Sequence, residues 1–423
     1  MSRFAPIAIG LIAVAVLAGC TQLQPLPTPT PTPTPTGTAS LDATGDGVLR
    51  IGTLFPMTGD TAAIGPALVA AVEVAVRDIN VAGGVLGQPV EMFSRNSGEA
   101  TEQLLESGFA ALVERGVDVV IGPTTSVLVE RLLPLAEAAG VTVITPAATA
   151  PAISAAAPQK VLFRTILAAD QQGAAIINAL ADDGAESVAL ITTGDVLGVA
   201  FEASTRAALQ RRGMRLTSIE QLDAATTVNR LAFSITGGEP DAIILATSAT
   251  LAEQNQTVLA ALLARGITAD QLWLTAQNLA DYSATLAAGT LEGANGVLDG
   301  APVSDELTAR LLQSDPALRG FRFAPETYDA VILAALGAVL AGDDSGTSIA
   351  REVTRATSDG VLCSSFGECI EVLSTEPAIN YNGLSGPLTF DSAGGLSEGE
   401  LGLYRYTAGN VAERVGSLVV ADD

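Results

Sequence analysis

Chemistry in this chain has to be done without imidazole, because none of its 423 residues is histidine. That absence removes Ser-His-Asp and Cys-His nucleophile pairs, HExxH zinc sites and histidine proton shuttles. Carboxylates, hydroxyls, amides and three cysteines remain. Asp195 with Asp281 is the pair of carboxylates that general acid–base work would draw on. No run of residues with metal-ligand spacing accompanies them, so the expectation is a chain with no metal, no cofactor and no catalysis. Asp42 to Gly47 opens like a calcium loop, but its twelfth position is Thr53, where a bidentate Glu is required. Lys plus Arg is 21 against 46 Asp plus Glu, a formal charge of −25, so a nucleic-acid backbone would have to bind against the field of the whole protein. Nucleic acid is not an expected partner. Cys363 and Cys369 have five residues between them, in a chain whose start reads as exported; a small disulfide-closed loop is the expected pairing rather than a redox or metal motif.

The elements that would position these groups begin after an address and a tether. Residues 1–20 carry Arg3, an apolar run from Ile7 to Leu17, and then Leu17-Ala18-Gly19-Cys20. The run is shorter than the roughly 20 residues of a membrane-spanning helix and has the form of a secretory signal. Small residues directly before Cys20 resemble a bacterial lipoprotein signal, which implies cleavage there, lipidation of the sulfur and an extracytoplasmic, membrane-anchored protein. Residues 21–47 follow as a linker, with Thr and Pro alternating from Thr28 to Thr36, a composition that stays extended and buries no core.

From Val48 onward, short β-rich runs alternate with stretches of helical period, the pattern of βαβ units around parallel sheets. The first series is Leu49 to Leu54, a helix Ala67 to Val81, Pro89 to Phe93, a helix Glu102 to Glu114, Val117 to Ile121, a helix ending near Ala139, and Val141 to Thr145. The second has a helix Ala174 to Ala181, strand Ser187 to Thr192, helix Phe201 to Arg211, strands Arg215 to Leu222 and Asp241 to Leu245, helix Leu251 to Arg265, and strand Gln271 to Leu274. Helices near Asp305 to Leu312 and Glu326 to Ala341 come later. Two similar α/β halves imply two doubly wound lobes, with a ligand site outside the carboxyl ends of their strands.

Several segments in one order carry a resemblance. They are Arg50 to Gly59, Arg77-Asp78-Ile79-Asn80, Ala82 to Val90, Val119 to Ser126, Ile144 to Pro151, Tyr328-Asp329-Ala330 and Gly383 to Asp391. Across essentially the whole globular part the chain resembles the leucine/isoleucine/valine-binding protein family, the solute-binding components of ABC importers. The resemblance implies the type I periplasmic-binding fold: two lobes joined by three crossover strands, near Arg164 to Ala168, Gly293 to Leu298 and Gly386 to Asp391. Lobe one would be 48–165 plus 297–385, and lobe two 166–296 plus 386–423.

In that family a ligand carboxylate is held by a serine and by backbone groups, and the matching positions here are Ser126, Ala147 and Thr149. Ser126 stands at a helix start, where free N–H groups and a hydroxyl bind an anion without a basic side chain; an ordinary helix cap is the other reading of the same residue. Lobe two places Leu197, Ser248 and Gln277 where relatives that bind α-amino acids use aromatic residues and a carboxylate. Gln277 offers an amide and no charge, so an ammonium would need Asp195 or Asp281 as its counter-ion. Carboxylic acids, short amides and urea-like solutes therefore stay open beside branched-chain amino acids. The expected partners are a small solute and the permease and ATPase subunits of an ABC importer, met by a monomer; the alternative is a sensor that passes its closed state to a signalling partner.

Overall fold

The computed structural model describes residues 45–155 and 161–420. Cys20, the signal segment and most of the linker lie outside the described residues. The first sheet has five strands: β1 (Arg50–Phe55), β2 (Glu91–Asn96), β3 (Val119–Ile121), β4 (Thr142–Thr145) and β5 (Leu162–Arg164). Their order is β2-β1-β3-β4-β5 and every neighbouring pair is parallel. The connections carry α1 (Gly65–Val81), α2 (Leu104–Val113), α3 (Ser126–Ala139) and the single turn α4 (Ala152–Ala155). All of β1 after its first residue, and the whole of β3, β4 and β5, is buried, which is why these strands read as continuous apolar runs.

The chain then builds a second sheet through α5 (Ala169–Asp182), β6 (Ser187–Thr192), α6 (Val196–Arg212), β7 (Arg215–Gln221) and α7 (Val228–Thr236). β8 (Ala242–Ala246), α8 (Ala252–Leu263), β9 (Leu272–Leu274) and β10 (Asn295–Leu298) complete its parallel part. After β10 the chain returns to the first lobe through α9 (Asp305–Ser314), α10 (Ala324–Ala341) and α11 (Gly346–Glu352). β11 (Val361–Cys363), α12 (Phe366–Leu373) and β12 (Ile379–Tyr381) follow, with β11 and β12 paired in parallel. Finally β13 (Gly399–Tyr406) and β14 (Ala412–Val420) add an antiparallel hairpin to β10, giving the order β14-β13-β10-β9-β8-β6-β7.

This is the expected α/β architecture with two lobes, and several differences from the sequence expectation have physical causes. β2 starts at Glu91, two residues later than expected, and runs on to Asn96; the segment begins with Pro89, which has no N–H to give a ladder. α5 starts at Ala169 instead of Ala174, and α6 at Val196 instead of Phe201. The first turn of α5 carries small and polar residues, and that of α6 carries Val196 and Val199 exposed to solvent and Leu197 against the first-lobe core, so neither shows the apolar stripe of its own lobe and only capping side chains mark them. Gln171 reaches back to the Ala168 N–H at 2.7 Å, and Asp195 accepts from the Gly198 N–H at 2.8 Å. α7, α11, α12 and the β13–β14 hairpin have no counterpart in the expected series.

α10 is long and apolar enough to cross a membrane, yet it is the buried core helix of the first lobe, packed against α1 and α11. Its two acids sit in this apolar setting for a reason visible in their partners. The Thr165 hydroxyl donates to the Glu326 carbonyl at 2.8 Å, and the Ala301 N–H donates to the Glu326 carboxyl. Asp329 accepts from the Tyr381 hydroxyl at 2.7 Å, from the Leu384 N–H at 2.9 Å and from the Ser385 N–H at 2.7 Å. Thr165, Ala301 and Ser385 stand beside or on the three segments that pass between the sheets, so one helix holds all three connections. Cys363 and Cys369 form the expected disulfide, tying β11 to α12.

Two predictions follow from these contacts. Burial pushes the Glu326 carboxyl up to about 8, and pushes Asp329 and Asp118 in the same direction. A carboxyl whose folded value lies above its unfolded one stabilises fully below the unfolded value and loses that contribution as pH rises through the folded one. Unfolding free energy should therefore fall as pH rises from 5 to 8, and Glu326→Gln should remove on the order of 3 kcal/mol of that fall in urea titrations; an unchanged slope in the variant would exclude Glu326 as its source. Replacing Cys363 and Cys369 together by alanine should cost about 2 kcal/mol, the loop-closure value for a ring this short, and leave solute affinity unchanged.

Candidate functional site

Both sheets end their parallel strands at the same kind of feature, a short turn leading into a helix start. In the first lobe β3 runs into Gly122-Pro123-Thr124-Thr125 and then α3. Gly122 takes φ +101, and a Cβ there would lie 2.4 Å from the Leu54 carbonyl oxygen, so the turn requires glycine. Thr125 is the N-cap of α3, but its side chain makes no capping hydrogen bond, and the first turn carries no acid. The first N–H groups of this 14-residue helix have no partner within the helix and no side-chain substitute. Thr124, 6% exposed, keeps its hydroxyl oxygen buried without a partner.

Ser126 is the first residue of α3, one position beyond the cap. Its oxygen accepts from the Ala150 N–H at 3.0 Å, which fastens the turn after β4 to the start of α3. The same turn is held from the other side by Arg164, whose Nη1 donates to the Ala150 carbonyl at 3.1 Å. Within it the Thr145 hydroxyl donates to the Pro123 carbonyl at 2.6 Å and accepts from the Ala148 N–H. Ala147 is half-buried and Thr149 buried in this turn, and the Thr149 carbonyl accepts from the Ala169 N–H at 2.8 Å. That last bond joins the first lobe directly to the start of α5.

In the second lobe a cavity of about 60 Å³ lies at the carboxyl ends of β6, β8 and β9. The three residues expected there, Leu197, Ser248 and Gln277, all line it. Ser126, Ala147 and Thr149 do not; they form their own cluster in the first lobe. Space of this size admits a few waters and is smaller than a site for a whole amino acid, so it can form only part of one. Leu197 is partly buried and also packs against the first-lobe core that includes Leu128, Ala148 and Ala150, so it bridges the lobes.

Asp195 lines the cavity, whereas Asp281 does not. Asp281 accepts from the Ser283 N–H in its own turn, which holds its carboxyl below the usual range. Asp195 caps α6: its Oδ1 accepts from the Gly198 N–H at 2.8 Å and the Thr193 hydroxyl at 2.9 Å. Ser248 likewise accepts from the Thr250 N–H and is engaged with the Thr250 hydroxyl at 2.8 Å. Gln277 is exposed. The cavity also takes Ala169 and Gln172 from the first turn of α5 and Phe201 from α6, which the sequence reading left out. The capping residues Gln171 and Asp195 were the signal that would have moved both helix starts forward to include Gln172 and Leu197.

The two helix starts are electrostatically opposite. α3 presents N–H groups with no side-chain cap and no acid; α6 carries a carboxylate on its cap. An anion is therefore favoured at the first lobe and disfavoured at the second. A group that donates hydrogen bonds is favoured next to Asp195.

Comparison with known proteins adds to this geometry. A family model described as periplasmic binding protein matches residues 48–395. The chemotactic signal transduction system substrate-binding protein BasB of Halobacterium salinarum is 25% identical over 361 residues, covering 82% of this chain and 84% of that protein. A Leu/Ile/Val-binding protein homolog of Brucella melitensis is 29% identical over 168 residues, 39% of this chain and 45% of the relative. Among solved structures, the branched-chain amino acid transporter substrate binding protein LivJ of Streptococcus pneumoniae, in complex with isoleucine, superposes with a TM-score of 0.62. It is 19% identical, and the match covers 89% of this chain and 100% of that one.

The Ser126 geometry fixes what its removal does. Ser126→Ala leaves the Ala150 N–H without an acceptor and should cost about 1–2 kcal/mol of stability with no solute present, read by urea unfolding. Thr149→Val should stay within about 0.5 kcal/mol of the parent in the same measurement. A neutral Ser126→Ala would show that its hydroxyl does not hold the turn.

Proposed function

Because this chain belongs to the periplasmic binding protein family, in its leucine/isoleucine/valine-binding group, we propose that it is the solute receptor of an ABC importer. It is anchored by lipid at Cys20 outside the cytoplasm and captures a branched-chain amino acid or a related small amide or carboxylic acid between its lobes. The lobes are about 48–165 plus 297–385 and 166–296 plus 386–423, with Val297 and Leu298 completing β10 in the second sheet, and a solute that contacts both stabilises the closed arrangement by its differential affinity. Permease and ATPase subunits then receive it from the monomer, and no bond in the solute is made or broken.

The observation that carries this reading is the opposition of the two helix starts. The uncapped start of α3, with the Ser126 hydroxyl beside it, suits the carboxylate of the solute. The Ser126 oxygen already accepts from Ala150, so its own proton is left to donate to that carboxylate. Ala147 and Thr149 offer backbone and hydroxyl groups in the same turn. In the second lobe Leu197 and Phe201 provide an apolar wall, Ser248 and Gln277 also line the cavity, and Asp195 supplies a negative charge for an ammonium. A carboxylate met at α3, an ammonium on the adjoining carbon met at Asp195 and a side chain against the apolar wall describe an aliphatic α-amino acid held between closed lobes.

A second reading is favoured by the likeness to a chemotactic substrate-binding protein: the same closure on the same solute is passed to a signalling partner. The two readings share the site and differ in the surface that reads it.

A thermal-shift screen of residues 45–423 against amino acids, amides, urea and small carboxylic acids tests the shared part. Binding raises apparent stability by RT ln(1 + [L]/Kd), about 2.7 kcal/mol at a hundredfold excess over Kd. L-Leucine, L-isoleucine or L-valine should shift the transition, whereas urea and dicarboxylic acids should not; a response confined to dicarboxylic acids would overturn the assignment of charges to the two helix starts.

A further inference from the structure

Around the second-lobe cavity the buried amides divide into two kinds. Asn278 accepts from the Thr275 N–H at 2.8 Å and donates to the Leu245 carbonyl and the Thr247 hydroxyl oxygen. Asn255 accepts from the Thr247 hydroxyl at 2.7 Å and donates to the Ser248 carbonyl at 3.0 Å. Both are committed to the framework that shapes the turns after β8 and β9. Gln172 is different: it is 3% exposed, it lines the cavity, and no hydrogen bond to its carboxamide exists among the described residues. Its carboxamide is not one of the fully buried polar groups left without a partner, so it opens onto the cavity, where water meets it in the free protein and a ligand can replace that water.

We propose that Gln172 is a specificity-determining contact of the second lobe, whose carboxamide oxygen accepts from the N–H donor, ammonium or amide, of an aliphatic solute. This rests on the solute-receptor reading above and names the group that the second lobe selects. Three features of the cavity set the class. Its wall next to Gln172 is apolar, formed by Leu197, Phe201 and Ala246. Asp195 contributes a carboxylate, and among the described residues no lysine or arginine lines it, so an anionic group has nothing to meet there. The amide oxygen of Gln172 and the carboxylate of Asp195 are then both acceptors for one donor, which is how a site discriminates against an analogue that lacks it: the unpaired acceptors are left buried when the donor is missing.

The test uses the full chain, with L-isoleucine and 3-methylpentanoate, the same carbon skeleton without the amine, as probes. Gln172→Met should leave the unfolding temperature of the solute-free protein within about 2 °C of the parent, because the amide it removes makes no hydrogen bond within the protein and faces the cavity. It should weaken L-isoleucine at least about tenfold while changing 3-methylpentanoate by less than about twofold. Gln172→Glu should widen the preference for the amine-bearing probe. A fall in the solute-free unfolding temperature of Gln172→Met beyond that margin, or an equal loss for both probes, would make Gln172 a packing residue and overturn the inference. If the parent protein binds neither probe, the amino-acid reading fails and the inference falls with it, a result distinct from binding of both probes by the parent with an equal loss in the variant, where the inference alone falls.

Discussion

Everything that moves between the two sheets passes one buried helix, and two carboxyl groups one turn apart on it hold the passage. Glu326 and Asp329 lie in α10 with 2% and 0% exposure. Such groups are costly to bury in ionised form, and burial answers by raising their pKa, so that Glu326 enters neutral solution largely protonated. In exchange they supply acceptors to backbone N–H groups of segments that belong to no sheet at that point: Ala301 on the way out of the second lobe, and Leu384 and Ser385 on the way back. A loop crossing between lobes has unpaired backbone groups by construction, and a side chain anchored in a rigid helix is an economical way to satisfy them without adding a strand. The lobes are therefore referenced to α10, and a change in their angle has to be taken up in the residues between these anchors and the sheets.

The same arrangement explains where the site lies. Parallel strands end together, and each is followed by a turn and a helix, so N–H groups converge at one edge of each sheet. What distinguishes the lobes is the treatment of those ends. At α3 the cap position holds Thr125 without a side-chain hydrogen bond; at α6 it holds Asp195 with two. A one-residue choice at a helix cap thus makes the two strand-end regions electrostatically opposite. The lobes touch near the strand ends through the Thr149 carbonyl and Leu197, one polar and one apolar contact, and elsewhere Ala175, Leu401 and Val420 join the first-lobe core.

Much of this was legible in the sequence, for reasons that also mark what was not. Buried parallel strands write themselves as apolar runs, so Ser187 to Thr192 was located to the residue. Helix bodies show their period, and both series of βα units emerged from it. The first turn of α5 was missed because Ala168 to Gln172 carry small and polar side chains, and that of α6 because Val196 and Val199 face solvent while Leu197 packs against the core of the opposite lobe, so neither turn shows the stripe of its own lobe's core. The residues selected for a ligand are the ones exempt from the core pattern, so periodicity is silent where the site begins. Asp329 carries the resemblance in Tyr328-Asp329-Ala330, and the structure gives that motif a framework role, tying the Gly383 to Ser385 segment to α10. The sequence alone had no means of separating such a motif from a binding one.

The Ser126 hydroxyl shows why a motif of this kind resists division into structural and functional parts. An oxygen that accepts one backbone N–H keeps a proton and a direction in which to give it. Ala150 fixes the oxygen, and Arg164 fixes Ala150 from its other side, so the remaining proton is aimed by contacts that exist before any solute arrives. Preorganisation of this sort removes the cost of ordering the donor at the moment of binding. It also means that the turn carrying Ala147 and Thr149 is held in place by the residue that would meet the anion. In the proposed reading, stability of the free protein and affinity for the solute are then coupled through one oxygen atom at the first lobe.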